Sequence, residues 1–161
     1  MSVFLGTHEN RFDAKGRVSI PAGFRTVLKA QHTEGDSLVI LRPSHTMPCI
    51  EAWPAGAFSR LTQPLDRLDM FSDEHDDLAA ALYADAYPLD PDREGRIIIP
   101  DFLREHAGIT ESPLVSFMGV GRTFQIWEPE AARQRRAEAR QRSRRISIPA
   151  AAHDGPDGGA A

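Results

Sequence analysis

The chain has 161 residues, enough to bury a core as one domain or as two small units that share one. Its formal net charge of -4 excludes a uniformly basic nucleic-acid coat but leaves room for a locally basic face. The single cysteine, Cys49, excludes an internal disulfide and a four-cysteine metal site, and fits a reducing compartment.

The opening residues, MSVFLGTHENRF, carry no basic segment followed by a long apolar run, and no later window approaches about 18 uninterrupted apolar residues. A soluble, cytoplasmic chain with no membrane partner is therefore expected. Residues 12–25 then read FDAKGRVSIPAGFR. Gly16 supplies a permissive turn, the β-branched stretch after it predicts a short strand, and Pro21 stops the ladder where a helix can begin. The helix is predicted over AGFRTVLKA. SLVILRP and MPCIEAW follow as a strand and its hairpin partner. From 55 to 86, AGAFSRLTQPLDRLDMFSDEHDDLAAALYADA predicts acidic helix interrupted near Pro64.

A second copy of the turn and strand, LDPDREGRIIIPDFLR, occupies 89–104. At one constant spacing it pairs Asp13 with Asp92, Gly16 with Gly95, Arg17 with Arg96, Pro21 with Pro100 and Arg25 with Arg104. Chance does not supply so many matches, and internal duplication is the simplest account. A helix over DFLREHAG and a hairpin from PLVSFMG and RTFQIWE complete the second unit, with Trp127 answering Trp53. Over residues 128–145, EPEAARQRRAEARQRSRR has seven arginines against three glutamates and predicts a basic helix. RRISIP at 144–149 echoes the repeat without its Asp, and the Gly-rich end predicts no fixed structure.

The expected organisation is thus a first unit at 4–54, a helical linker at 55–82, a second unit at 83–130, a basic helix at 131–145 and a tail at 146–161. The fold class is mainly β with short helices, built from two pseudo-symmetric halves.

Three sets of residues are candidates for chemistry. In the paired Asp-x-x-x-Arg turns, Asp13 and Asp92 with Gly16 and Gly95 are expected to be structural, the carboxylates accepting backbone N–H groups or pairing with arginine. Arg11, Lys15 and Arg17 in the first turn, and Arg93 and Arg96 in the second, concentrate positive charge at one end of a strand. Such forked donors on a rigid surface suit phosphates and the major-groove edge of guanine, which makes double-stranded DNA the expected partner. In the basic helix, Arg135, Arg136, Arg142 and Arg144 either face solvent, add a phosphate contact or meet an acidic face of a neighbouring chain. The third set, His8, His32, His45, His75, His106 and His153 with Cys49, has no metal-ligand spacing, so no metal is expected. Neither a Ser-elbow, a phosphate loop nor a dinucleotide fingerprint is present, no acidic pair is singled out for catalysis, and no cofactor, small-molecule substrate or enzyme activity is expected.

The doubled Asp-x-x-Gly-Arg turn, each followed by an apolar triad and proline, with Trp closing each unit, resembles the MraZ family of bacterial transcriptional regulators. The single unit resembles the SpoVT/AbrB swapped-hairpin DNA-binding domain. The likeness covers about residues 4–140. It implies a tandem swapped-hairpin β-barrel with a shared core, assembly into a ring of several subunits, binding to direct repeats upstream of its own gene in the division and cell-wall cluster, and a cytoplasmic, nucleoid-associated location. The motif maps onto Asp13, Lys15, Gly16 and Arg17, and onto Asp92, Gly95 and Arg96; Glu94 stands where the first turn has Lys15, which weights the first turn as the stronger contact. Three other readings stay open: a protein-interaction or structural ring, an AbrB-like antitoxin, and a small enzyme on a related barrel.

Overall fold

A computed structural model describes residues 2–150 of the chain. Met1 and residues 151–161, with His153 and most of the expected tail, lie outside them. The first half runs β1 (Thr7–Arg11), β2 (Arg17–Ser19), α1 (Ala22–Ala30), β3 (Val39–Pro43) and β4 (Ile50–Pro54). A linker follows, made of α2 (Ala55–Thr62), a 3-10 turn at Gln63–Arg67 and α3 (Asp73–Ala79), which continues into one wider turn at Ala80–Ala84. The second half repeats the first as β5 (Tyr87–Leu89), β6 (Arg96–Ile98), α4 (Asp101–His106), β7 (Leu114–Gly119) and β8 (Phe124–Trp127), and α5 (Pro129–Ser143) closes the order.

The two predicted hairpins form as β3 with β4 and β7 with β8, both antiparallel. What joins the halves is the exchange of their first strands. β1 pairs with β7 of the second half, and β5 pairs with β3 of the first, giving a six-stranded sheet in the order β1-β7-β8-β4-β3-β5. The order is its own mirror under the repeat. The register obeys the same rule: Glu51 faces Gln125 at the centre of the β4–β8 pair, and Val18 faces Ile97 at the centre of a separate β2–β6 ribbon. A pseudo-two-fold axis therefore passes through both pairs, as the swapped-hairpin architecture requires.

The core lies between the ribbon, the sheet and the short helices. Phe4, Phe24 and Phe124 form an aromatic triangle with ring centroids 5.0 to 5.4 Å apart, and Val18, Ile20, Ile97, Ile99 and Leu103 are buried around it. Ring pairs at that separation add to what burial of their area contributes. Proline ends each ribbon strand and opens the helix after it: Pro21 and Pro100 cap α1 and α4 with nearly identical backbone angles. A second, smaller cluster seats α5, whose Ala131 and Ala132 pack on Met47, Cys49, Met118 and Trp127. Pro129 starts that helix at its first position, and the Glu128 carboxylate accepts from the N–H groups of Glu130 and Ala131. RRISIP at 144–149 forms no strand.

Symmetry fails at one buried polar cluster. Arg42 is 6% exposed and lies beside Glu51 (3.4 Å), His45 and the Ala81 carbonyl, so it ties the first hairpin to the linker. The equivalent positions in the second half are Met118 and Gln125.

Candidate nucleic-acid interface

The two turns are copies in geometry as well as sequence. In the first, Asp13 Oδ1 accepts from the N–H groups of Lys15 (2.9 Å) and Arg17 (2.8 Å), while Oδ2 accepts from Arg17 Nε (2.7 Å). In the second, Asp92 Oδ1 accepts from Glu94 N (2.9 Å) and Arg96 N (2.9 Å), and Oδ2 from Arg96 Nε (2.8 Å). The aspartate thus closes the turn and holds the arginine. Gly16 and Gly95, with φ of 78° and 79°, take the left-handed conformation that lets the backbone reverse inside that ring of hydrogen bonds.

The carboxyls respond to this cradle. Asp13 is held below the usual carboxylate range, most strongly by the Arg17 N–H, against the upward effect of burial, and further by the Arg17 side chain and the Lys15 N–H. Asp92 is lowered in the same way by Arg96. Both carboxylates stay charged at neutral pH and keep the turns shut.

The ribbon turns these corners into one surface. Directly opposed residues of an antiparallel pair share a face, and residues two apart return to it. Val18 and Ile97 therefore point to the core, where both are buried. Arg17, Ser19, Arg96 and Ile98 share the outer face. Arg17, opposite Ile98, and Arg96, opposite Ser19, stand on a diagonal across the central Val18–Ile97 pair, and the corners are close enough that Arg96 Nη1 reaches Asp13 Oδ2 at 4.0 Å. Their side chains keep 27% and 28% exposure.

Charge divides this surface unequally. Arg11 and Lys15 are exposed beside Arg17, whose Nε is held by Asp13. At the second corner Arg93 is exposed, but Arg96 is committed: the Asp92 hydrogen bond, then Glu94 Oε2 at 3.0 Å and Asp13, raise its already high pKa. Asp90 adds a further carboxylate, accepting from the Leu38 N–H at 2.8 Å.

Two cations at this surface were visible in the repeat as Arg25 and Arg104 without being marked as site residues. Each leaves its own half and lies at the other corner. Arg25 crosses directly over Gly95 while its Nε donates to the Ile20 carbonyl (3.1 Å); Arg104 stacks 4.2 Å above the Phe12 ring and approaches Gly16. Recurrence of the helix arginine four residues after proline was the signal that could have found them.

The basic helix is only partly joined to this surface. Arg133 bridges Glu130 (2.8 Å) and Glu9 of β1 (3.1 Å). Arg135 and Arg136 are half-buried along the body, whereas Arg142 and Arg144 are exposed beyond it. Among the described residues no three His, Cys, Asp or Glu side chains converge as metal ligands, and no helix is long and apolar enough to cross a membrane.

Sequence comparison matches the chain to the family described as "MraZ protein, putative antitoxin-like" over residues 3–80 and 82–150. A protein named Transcriptional regulator MraZ from Gluconacetobacter diazotrophicus is 75% identical over 150 residues, which cover 93% of this chain and 94% of that one. The protein of the same name from Gluconobacter oxydans is 67% identical over 147 residues (91% and 88%), and that from Xanthobacter autotrophicus 40% over 146 residues (91% and 90%). With matches of that identity and extent, this chain belongs to the MraZ family.

Proposed function

We propose that this protein is a non-catalytic, sequence-specific DNA-binding regulator of transcription, acting on its own division and cell-wall gene cluster in the cytoplasm at the nucleoid. Several copies, arranged as a ring, present their ribbons to successive direct repeats of the promoter. The observation that carries this reading is the β2–β6 ribbon, buried on one face by Val18 and Ile97 and carrying Arg17 and Arg96 on a diagonal across the other. The major groove admits a two-stranded ribbon, and a forked arginine held rigid at its Nε suits the acceptor pair of guanine.

The first corner is the principal contact. Arg11 and Lys15 supply phosphate charges, and Arg17, its Nε fixed by Asp13, offers Nη groups to a base edge. At the second corner Glu94 and Asp90 offset the charge of Arg96 and Arg93, so it contributes less. Arg25 and Arg104 add cations at the rim. One such surface binds weakly, and linking copies along repeated sites raises the effective concentration of each next contact.

Band shift of the duplex upstream of the chain's own gene, scored together with native mass, tests the reading. Retarded complexes are expected for the wild type, sharply weakened ones for Lys15→Ala, and a native mass of several subunits. Equal binding of unrelated duplexes, or no effect of Lys15→Ala, refutes the assignment.

A further inference from the structure

Two surfaces of this chain are left out of the DNA-binding account, and they are opposite in charge. The first is the linker. α3 and the turn that continues it bury no residue at all, although an isolated helix of that length is marginal in water. Around it Phe71 is 91% exposed, Met70 68% and Leu78 47%. Between residues 68 and 86 there are six carboxylates, among them Asp73, Asp76 and Asp77, and no lysine or arginine. Exposed apolar side chains on a segment this acidic mark a contact surface, and such a segment repels a phosphate backbone.

The second is the end of α5 and the residues after it. Past Ala132 the helix buries nothing more. Residues 140–149 hold Arg140, Arg142, Arg144 and Arg145 without a single carboxylate, and Ile146 and Ile148 stand 70% and 93% exposed. Among the described residues this arm makes one ion pair, Arg142 with Glu138 at 3.9 Å, within its own helix. It makes none with the linker of the same chain.

We propose that the arm, residues 140–149, docks on the linker face of a second copy of this chain, its arginines on the Asp73, Asp76 and Asp77 side and its isoleucines against Phe71, Met70 and Leu78. Each surface supplies what the other lacks, in charge and in apolar area alike. DNA would satisfy the arginines but leave Ile146 and Ile148 in water, which is why a second copy fits better than phosphate. Because arm and linker are different patches, the contact is head-to-tail: it leaves a free arm at one end and a free linker at the other, and propagates until a ring closes. The inference rests on the reading of the protein as a multi-copy assembly and names the surfaces that build it.

Native mass of the full chain tests it, with four samples beside the wild type. Phe71→Ser removes an anchor that its own fold hardly touches, so it acts on association and not on folding. The arm variant Arg142→Glu/Arg144→Glu and the linker variant Asp76→Lys/Asp77→Lys each place like charges across the contact. Each variant alone is expected to associate at least about tenfold more weakly and to run as the monomer where the wild type is assembled. The fourth sample mixes the arm and linker variants. Each then offers the surface that complements the other, so the mixture is expected to recover the assembled mass while neither variant does so alone. Variants that keep the wild-type mass overturn this inference alone. So does an arm variant that stays assembled but loses DNA binding, which would make the arm a phosphate contact. A monomeric wild type instead overturns the multi-copy reading itself.

Discussion

Replacing each corner glycine by alanine separates what the two turns share from what they do not. Gly16 and Gly95 sit at almost the same positive φ, 78° and 79°, so the backbone strain of adding a Cβ is the same at both, about 1–2 kcal/mol. The space around them differs. A Cβ at Gly16 meets only Arg104 Nη1 at 3.7 Å, an ordinary contact. At Gly95 it would fall 2.3 Å from Arg25 Cδ and 2.5 Å from Nε, which no side chain tolerates. Arg25 must swing away, and the hydrogen bond from its Nε to the Ile20 carbonyl goes with it. Losing that bond adds about 1 kcal/mol. Gly95→Ala is therefore expected to destabilise the fold by about 2–3 kcal/mol and Gly16→Ala by about 1–2 kcal/mol. In a chain of this size the difference lowers Tm by a further 2–4 °C or so. Urea and thermal unfolding of both variants, followed by circular dichroism, measure it. Equal losses would show that Arg25 does not lie over the second corner, and a larger loss at Gly16 would refute the crossing of helix arginines between halves.

Two further predictions concern stability. Arg42→Met alone leaves the half-buried Glu51 without its cation and is expected to cost up to about 3 kcal/mol in urea unfolding; Arg42→Met/Glu51→Gln, which copies the second half's Met118 and Gln125, is expected to cost less than half as much. Asp13 and Asp92 have folded-state pKa values depressed below the unfolded value of about 3.9, so their contribution is complete above that pH and is lost as pH falls through the lower folded values. Tm should decline below about pH 4 in the wild type and more gently in Asp13→Asn/Asp92→Asn, which starts lower.

Much of the corner chemistry was legible because it is local. An Asp four residues before Arg, with Gly between, specifies a closed turn from nearby backbone groups alone, and the apolar alternation after it gives the ribbon strand. Duplication then multiplied a weak signal into a strong one. What the local sequence could not show is the partner of each strand. β1 and β5 carry little apolar patterning of their own, and only the resemblance to swapped-hairpin proteins anticipated the exchange that seats them on the opposite half. The same limit hid the crossing of Arg25 and Arg104, whose contacts lie 70 or more residues away in the chain. Glu94 was readable as a departure from Lys15, but its consequence, an Arg96 surrounded by Asp92, Glu94 and Asp13, needed the two corners to be neighbours. Arg42 gave no signal, since an arginine in a strand reads as exposed until its hairpin partner and the linker close over it.

In the proposed function the first corner holds DNA by charge, on a ribbon that the second corner's carboxylates partly neutralise. Fluorescence anisotropy titration of a duplex carrying the chain's own upstream repeats, at several salt concentrations, tests it with wild type, Lys15→Ala and Glu94→Ala. Affinity is expected to fall steeply with salt, with a slope smaller by about one per subunit for Lys15→Ala and tighter binding for Glu94→Ala. Binding indifferent to salt, or a slope that Lys15→Ala leaves unchanged, would contradict it.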